Sequence, residues 1–322
     1  MFFQSVCATT RSLLSQLAHQ KPTIILGFSG GPDSLFLLHV LDVLKNEGII
    51  TLVAAHLDHQ WRQESAAEAL FCKKYCAQKN IECIVHTADQ YAANVPHSTS
   101  KEATGRNLRR AFLTTIKNHY SAQAIALAHH RQDQFETFFV RIIRGASLSG
   151  LTCMKQYNPP YLRPLLTYNK SDILTYLEQH AIPFCLDPTN NHETFLRNRI
   201  RHSIIPACTN ADARFEQKLE STIQQLQQED TFLQQLTIKK LTELSHTNHA
   251  GRSVINLSGF QNTDPVLQRR MLLDLLITQQ RHFLPSSATI NEIIRFLMGI
   301  KGGQHCVTPW IIKKKSNIFW IE

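Results

Sequence analysis

Residues 24–34 read Ile24-Ile25-Leu26-Gly27-Phe28-Ser29-Gly30-Gly31-Pro32-Asp33-Ser34, and a helical run over 35–44 follows directly. An apolar strand that stops at paired glycines and restarts as a helix brings unpaired backbone N–H groups and the positive end of the helix dipole to one spot, which suits phosphate. Ser29, Gly30, Gly31, Pro32, Asp33 and Ser34 form that turn. The lysine that a Walker loop carries before its final hydroxyl is replaced here by Asp33. A carboxylate beside phosphate calls for a cation, so Asp33 is expected to hold Mg²⁺.

Outward from this turn, the first 130 residues alternate short β-rich runs, at 24–28, 52–56, 81–86 and 124–128, with helical ones at 35–44, 65–78 and 107–119. That order predicts an α/β domain with a Rossmann-like parallel sheet flanked by helices, its ligand at the carboxyl ends of the strands. The first strand leads into Ser29, the second into His56-Leu57-Asp58-His59, and the fourth into His129-His130. Near Pro206 the character changes to helical and Gln-rich sequence. The expected division is a domain over 1–208 and a smaller, mainly helical domain over 209–322 that ends in a short β-hairpin around Lys313-Lys314-Lys315.

Composition narrows the function classes. A chain of 322 residues with 43% hydrophobic and 18% charged residues can bury a sizeable core and is not a disordered segment. A formal net charge of +9 favours a polyanionic partner such as nucleic acid. Met1 to Gln20 has no sustained apolar stretch after a basic start, and no later run reaches membrane-spanning length, so a cytosolic enzyme is expected. The eight cysteines are widely scattered, and Cys72 and Cys76 have no second pair to complete a Zn²⁺ site.

After the fourth strand, Phe135, Phe138, Phe139, Ile142 and Ile143 fall on one apolar helical stripe, while Asp133 and Glu136 lie off it, one turn apart. Arg197, Arg199 and Arg201 alternate along the chain; a helix would fan them, whereas an extended strand would line them up. His56, His59, His129 and His130 gather at strand ends without fixed ligand spacing and are expected to wall a nucleotide pocket.

The loop resembles the PP-loop, Ser-Gly-Gly-x-Asp-Ser, of enzymes that transfer AMP from ATP to an oxygen. Together with 55–62, 128–137, Arg163-Pro164-Leu165-Leu166 and 187–202, it is similar to the bacterial tRNA(Ile)-lysidine synthetases over roughly residues 20–206. That family ligates free lysine to C2 of the wobble cytidine of tRNA(Ile) with a CAU anticodon, using ATP and Mg²⁺ and releasing AMP and pyrophosphate. The resemblance implies ATP binding by Ser29, Gly30, Gly31, Pro32, Asp33, Ser34, Ala55, His56 and Arg109. It further implies lysine binding by Asp133 and Glu136, metal binding by Asp33 and Asp133, and tRNA contact by Arg106, Arg110, Arg197, Arg199 and Arg201. Asp33, Asp133, Glu136 and Arg201 would be the catalytic set, and a homodimer is compatible with all of this.

Two departures stand out. Gln132 occupies a place where relatives usually carry the first of two adjacent acids, and Trp61 replaces a usual aliphatic. The chain also reads as a short form, ending where many relatives continue into a further domain. The competing readings are a PP-loop tRNA thiolase, which usually needs a Cys-x-x-Cys pair that this sequence does not contain, a small-molecule amide synthetase, and an inactive nucleotide-dependent tRNA-binding module.

Overall fold

The computed structural model describes residues 1–17, 19–61, 64–93, 95, 100–185, 196–248, 251–279 and 285–322. The turn-forming Asp187-Pro188-Thr189-Asn190-Asn191 and Arg62 lie outside them. Two compact units emerge, Met1–Ile223 and Gln224–Glu322. The division falls within the 30-residue helix Phe215–Leu244, whose regular sequence gives no sign of where the packing changes.

In the first unit the order is α1 (Phe2–Leu14), β1 (Thr23–Gly27), α2 (Pro32–Asn46), β2 (Thr51–Asp58), α3 (Ser65–Gln78), β3 (Glu82–Thr87), α4 (Asp89–Ala92), α5 (Lys101–His119) and β4 (Ala124–Ala126). Then come α6 (Arg131–Ile143), α7 (Leu148–Leu151), β5 (Tyr157–Asn158), β6 (Tyr161–Leu162), α8 (Lys170–Gln179), α9 (Leu196–Arg199), a π-helical turn Ile200–Ile204, α10 (Ile205–Ala211) and the first turns of α11 (Phe215–Leu244), which runs on into the second unit. The sheet runs β3-β2-β1-β4-β6-β5, parallel except for the β5–β6 pair.

Side chains alternate across this sheet with the two-residue period of a strand. Ile24, Leu26, Leu52, Ala54, Ala124 and Ala126 pack with α1, α2 and α8 on one face. Ile25, Val53, Ala55 and Ile125 pack with Leu108, Phe112, Leu113 and Ile116 of α5 on the other. Both faces are covered, which is why β1 reads as an uninterrupted apolar run. The chain leaves β1 toward β2 and β3 and returns to β1's other side as β4, so the sheet's switch point lies between β1 and β4. Ligands of open α/β sheets bind there, outside the carboxyl ends.

The second unit corrects the expectation of a mainly helical domain. Besides α12 (Leu257–Gln261), α13 (Pro265–Gln279) and α14 (Ser287–Met298), it holds a five-stranded antiparallel sheet. Its strands are β7 (Ser245–Thr247), β8 (Ser253–Asn256), β9 (Gly303–Val307), β10 (Trp310–Lys315) and β11 (Ile318–Ile321), in the order β7-β8-β11-β10-β9. The first two strands are too short to show alternation in sequence. The three lysines read as a hairpin turn are part of β10, because Lys314 is only 5% exposed and its ammonium bonds the carbonyls of Leu297, at 3.0 Å, and Gly299 at the end of α14. Met271, Leu272, Leu276, Ile293, Leu297, Ile312 and Phe319 form this unit's own core.

Candidate functional site

The loop after β1 is held by its own hydroxyls. Ser34 Oγ donates to the Gly31 carbonyl at 3.0 Å, accepts the Ser29 N–H at 3.2 Å and lies 3.0 Å from Ser29 Oγ. Gly30 takes φ +78°, which favours glycine, and a Cβ there would sit 3.0 Å from Cys72 Sγ, a tight approach that the thiol would have to yield to. Gly31 caps α2 in extended conformation, Pro32 starts it, and Asp33 falls in its first turn, whose N–H groups a helix leaves unpaired.

β2 contributes His56, Asp58 and His59. Buried His56 donates from Nδ1 to the Phe28 carbonyl at 2.9 Å, stitching β2 to the exit of β1. Burial, helped by the nearby Arg109 charge, outweighs that bond and Asp58 and keeps the His56 imidazole pKa below its ordinary value. Burial, reinforced by Arg109 and His56, pushes His59 down to about 4. The charge of Arg109, on α5, thus acts on both histidines at the end of β2. Ala55 is buried in register with Gly27, and its carbonyl accepts the Phe28 N–H at 2.9 Å. Trp61 is 43% exposed, stacks on His59 with centroids 4.5 Å apart, and carries Lys101 Nζ 4.7 Å over its ring.

From α6 come the two acids. Asp133 Oδ2 accepts the His130 N–H at 2.9 Å, and Oδ1 accepts Arg197 Nη2 at 2.8 Å. Burial opposes its charge, but His130, Arg197 and His129 together hold its pKa below the usual carboxylate range. Glu136 is fully buried, with Oε2 taken by Arg197 Nε at 2.5 Å and Oε1 by Arg201 Nε at 2.6 Å. The segment carrying the arginines is helical, so Arg197 and Arg201, four residues apart, share one face while Arg199 is turned to solvent. Arg197 and Arg201, expected at the RNA, are thus paired with the acids expected to bind lysine. Arg106, Arg110 and Arg163 lie within electrostatic reach of one another, and Arg106 also acts on Asp133 and His129.

Between the loop and α6 stands His130, its Nε2 3.8 Å from Asp33 Oδ2 and 3.5 Å from Asp133 Oδ2. Sequence reasoning gave no role to Lys170, whose Nζ is 3.5 Å from Asp33 Oδ2, or to Arg163. Lys170 carries a signal in hindsight, since it opens α8 at the end where the helix dipole disfavours a cation.

Asp33 Oδ1, both ring nitrogens of His59, Nδ1 of His129 and of His130, and Nε of Arg131 and of Arg163 are shielded from solvent without a hydrogen-bond partner. Among the described residues these are the only such side-chain atoms, and all lie in segments at the carboxyl ends of β1, β2, β4 and β6. Stranded polar atoms are costly, so their gathering at the switch point marks a place built to be filled. Asp33 Oδ1 fits a divalent cation. No group of three or more His, Cys, Asp or Glu side chains among the described residues could hold a metal by itself, so a cation there would take its other ligands from nucleotide phosphates and water.

A parallel α/β sheet with an anion-binding loop and an acid at its switch point defines a nucleotide-using protein, and the chain belongs to the PP-loop family, whose PP-loop domain matches residues 5–208. A PP-loop domain implies ATP binding. Curated relatives narrow the comparison: the chain is 30% identical over 287 residues to the tRNA(Ile)-lysidine synthase of Bacillus licheniformis, covering 88% of this chain and 60% of that one. It is 29% identical over 294 residues to the tRNA(Ile)-lysidine synthase of Geobacillus kaustophilus, covering 90% and 63%. The chain therefore spans a little under two thirds of the length of these relatives. Among solved structures, the U34-tRNA thiolase NcsA of Methanococcus maripaludis superposes with a TM-score of 0.58 at 16% identity, covering 70% of this chain and 78% of that one, a likeness of fold. No helix among the described residues is long and apolar enough to cross a membrane.

Proposed function

We propose that this protein uses ATP to ligate free lysine to C2 of the wobble cytidine of tRNA(Ile) bearing a CAU anticodon. The cytosine O2 attacks the α-phosphate and pyrophosphate leaves; the lysine ε-amine then attacks C2, and the C2–O2 bond breaks to release AMP. The observation that carries this reading is the pairing, at one switch point, of a phosphate loop whose Asp33 has an unpartnered Oδ1 with a second acid, Asp133, the two acids lying 3.8 and 3.5 Å from the same His130 Nε2.

Asp33 would hold Mg²⁺, which when bound neutralises charge gathering on pyrophosphate. The loop amides orient the phosphates, and His56 and His59, kept neutral by burial, form the wall on the β2 side. An ε-ammonium ordinarily titrates near ~10.4 and is no nucleophile, so a carboxylate must hold the cation or accept its proton. Asp133 is 14% exposed and is the more accessible of the two acids; Glu136 stands behind it. Two arginines already balance these two charges, so in this reading Arg197 exchanges Asp133 for an RNA phosphate when tRNA arrives, which frees Asp133 for the amine. Arg106 and Arg110, with the net +9 charge, would receive the tRNA backbone.

The deciding experiment incubates the protein with ATP, Mg²⁺, labelled lysine and isoleucine tRNA bearing CAU. Lysine incorporation with AMP release supports ligation. ATP turnover that requires a sulfur donor would instead indicate thiolation, and tRNA binding without turnover an inactive module.

A further inference from the structure

The phosphate loop from Ser29 to Ser34 contains no cation, and its single charged side chain, Asp33, is negative. A triphosphate seated there must find positive charge elsewhere. The structure brings one lysine to the loop from a distant segment. Lys170 is the first residue of α8, and its Nζ lies 3.5 Å from Asp33 Oδ2 with the side chain 35% exposed.

This contact differs from a casual surface pair in how its backbone is fixed. Gln132 Oε1 accepts the Lys170 N–H at 3.0 Å, and Gln132 Nε2 lies 3.4 Å from Asn169 Oδ1. Arg131 donates to the same Asn169 oxygen at 3.1 Å and to the Thr167 carbonyl at 2.6 Å. The start of α8 is thereby tied to the start of α6, the helix that carries Asp133. A cation at the first residue of a helix works against the dipole, which leaves local stability a poor reason for a lysine there.

We propose that Lys170 Nζ grips the β- and γ-phosphate oxygens of ATP, the part played by the loop's own lysine in a Walker site. The inference rests on the ATP reading above and adds a substrate-contacting residue to it. In the free protein the ammonium rests on Asp33; when nucleotide enters, it passes to the phosphates, which leaves the Asp33 carboxylate free to hold a cation. A compact ammonium on a flexible stem can change partners in this way, which a planar guanidinium does less readily. Gln132 is then a positioning residue: its neutral amide holds the Lys170 backbone without competing for the ammonium.

Calorimetric titration of the full chain with ATP, inorganic pyrophosphate and AMP, each with Mg²⁺, tests this. Lys170→Met is expected to weaken ATP and pyrophosphate by about ten-fold or more while AMP changes by less than about two-fold, and Lys170→Arg to recover part of the loss. Lys170→Gln serves as a second neutral variant, and thermal unfolding checks that each is folded. Equal losses for ATP and AMP, or unchanged ATP affinity, would overturn the assignment to the terminal phosphates. Failure of the wild-type chain to take up ATP would instead sink the ATP reading itself.

Discussion

Arg197 spans both acids of α6, its Nη2 2.8 Å from Asp133 and its Nε 2.5 Å from Glu136. Glu136 in turn receives Arg201 on its other oxygen at 2.6 Å, so a fully buried carboxylate has its two oxygens engaged by two guanidinium groups. Removing one partner of such a set leaves charge uncompensated in a poorly hydrated place. Glu136→Ala is therefore expected to cost about 3–5 kcal/mol of stability, and Glu136→Gln less, because the amide oxygen still accepts one bond. Urea unfolding checks both. With tRNA and ATP present, adenylated tRNA should accumulate on Glu136→Gln, since lysine transfer suffers more than adenylation; equal loss of both steps would argue against a role in transfer.

The same geometry makes lysine uptake depend on where Arg197 points. In the wild-type chain, lysine should bind weakly until tRNA draws the guanidinium away from Asp133. Arg197→Met should bind lysine without tRNA and bind tRNA less tightly, by roughly the 1–3 kcal/mol of a charge-assisted contact. Equilibrium dialysis of labelled lysine with and without tRNA distinguishes the cases. Equal lysine binding by both proteins in both conditions would reject the exchange.

Asp33 faces Lys170 and His130 through one oxygen and has an unpartnered second oxygen. Asp33→Ala should reduce pyrophosphate release by on the order of 10²-fold or more, as loss of an electrostatic contact to a departing group does, and leave tRNA binding nearly intact. A filter-binding assay beside a pyrophosphate-release assay measures both. Adenylate formation at the wild-type rate would remove Asp33 from the proposed chemistry.

What the sequence revealed follows from which forces act locally. The run from β1 through α2 was readable because an apolar strand, paired glycines and a helix start are all short-range signals. The ends of β2 and β4 could be placed at one edge because parallel strands leave no other arrangement. The Asp133–Glu136 pair was visible as one helical turn, but its burial was not, because it depends on arginines more than sixty residues away. Lys170 was hidden for the same reason. In the second unit, β7 and β8 gain their strand character from pairing with partners, and Lys314 is buried by carbonyls at the end of α14, neither of which local alternation can show.

Gly30 allows a test of the loop's own architecture. Alanine there must keep φ +78° and place its Cβ 3.0 Å from Cys72 Sγ and 3.4 Å from Phe71. The two penalties together should destabilise the protein by roughly 1–3 kcal/mol. Nucleotide affinity should fall as well, because the Gly30 carbonyl also accepts the Cys185 N–H at 3.0 Å and a shift propagates to that segment. Cys72 is itself buried, so the cost of Gly30→Ala is compared in the wild-type and Cys72→Ala backgrounds; it is expected to be smaller but not zero in the latter, because the contact is relieved and the backbone strain is not. No remaining cost in the Cys72→Ala background would show that the dihedral carries none; an unchanged cost would show that the contact carries none.

Three half-buried imidazoles contribute to the acid limit of stability. Burial, with Lys79 adding to it, pushes His39 down to about 4; burial with Arg109 does so for His59; and burial with Arg163, Arg197 and Arg106 does so for His129, against an opposing pull from Asp133. In the unfolded chain each returns to its ordinary value of 6.5, so between about 6.5 and 4 the unfolded state holds protons that the folded state refuses. Stability consequently rises with pH across that window: the histidine contribution is fully present above about 6.5 and is lost as pH falls toward 4. Melting temperatures should be level from pH 8 to 7 and drop progressively between about 6.5 and 4.5. His129→Gln should make that drop shallower, since one of the three groups no longer titrates. A melting temperature that stays flat or rises on acidification through this range would mean that the imidazoles are charged in the folded protein, and the neutral wall assigned to the nucleotide pocket would have to be abandoned.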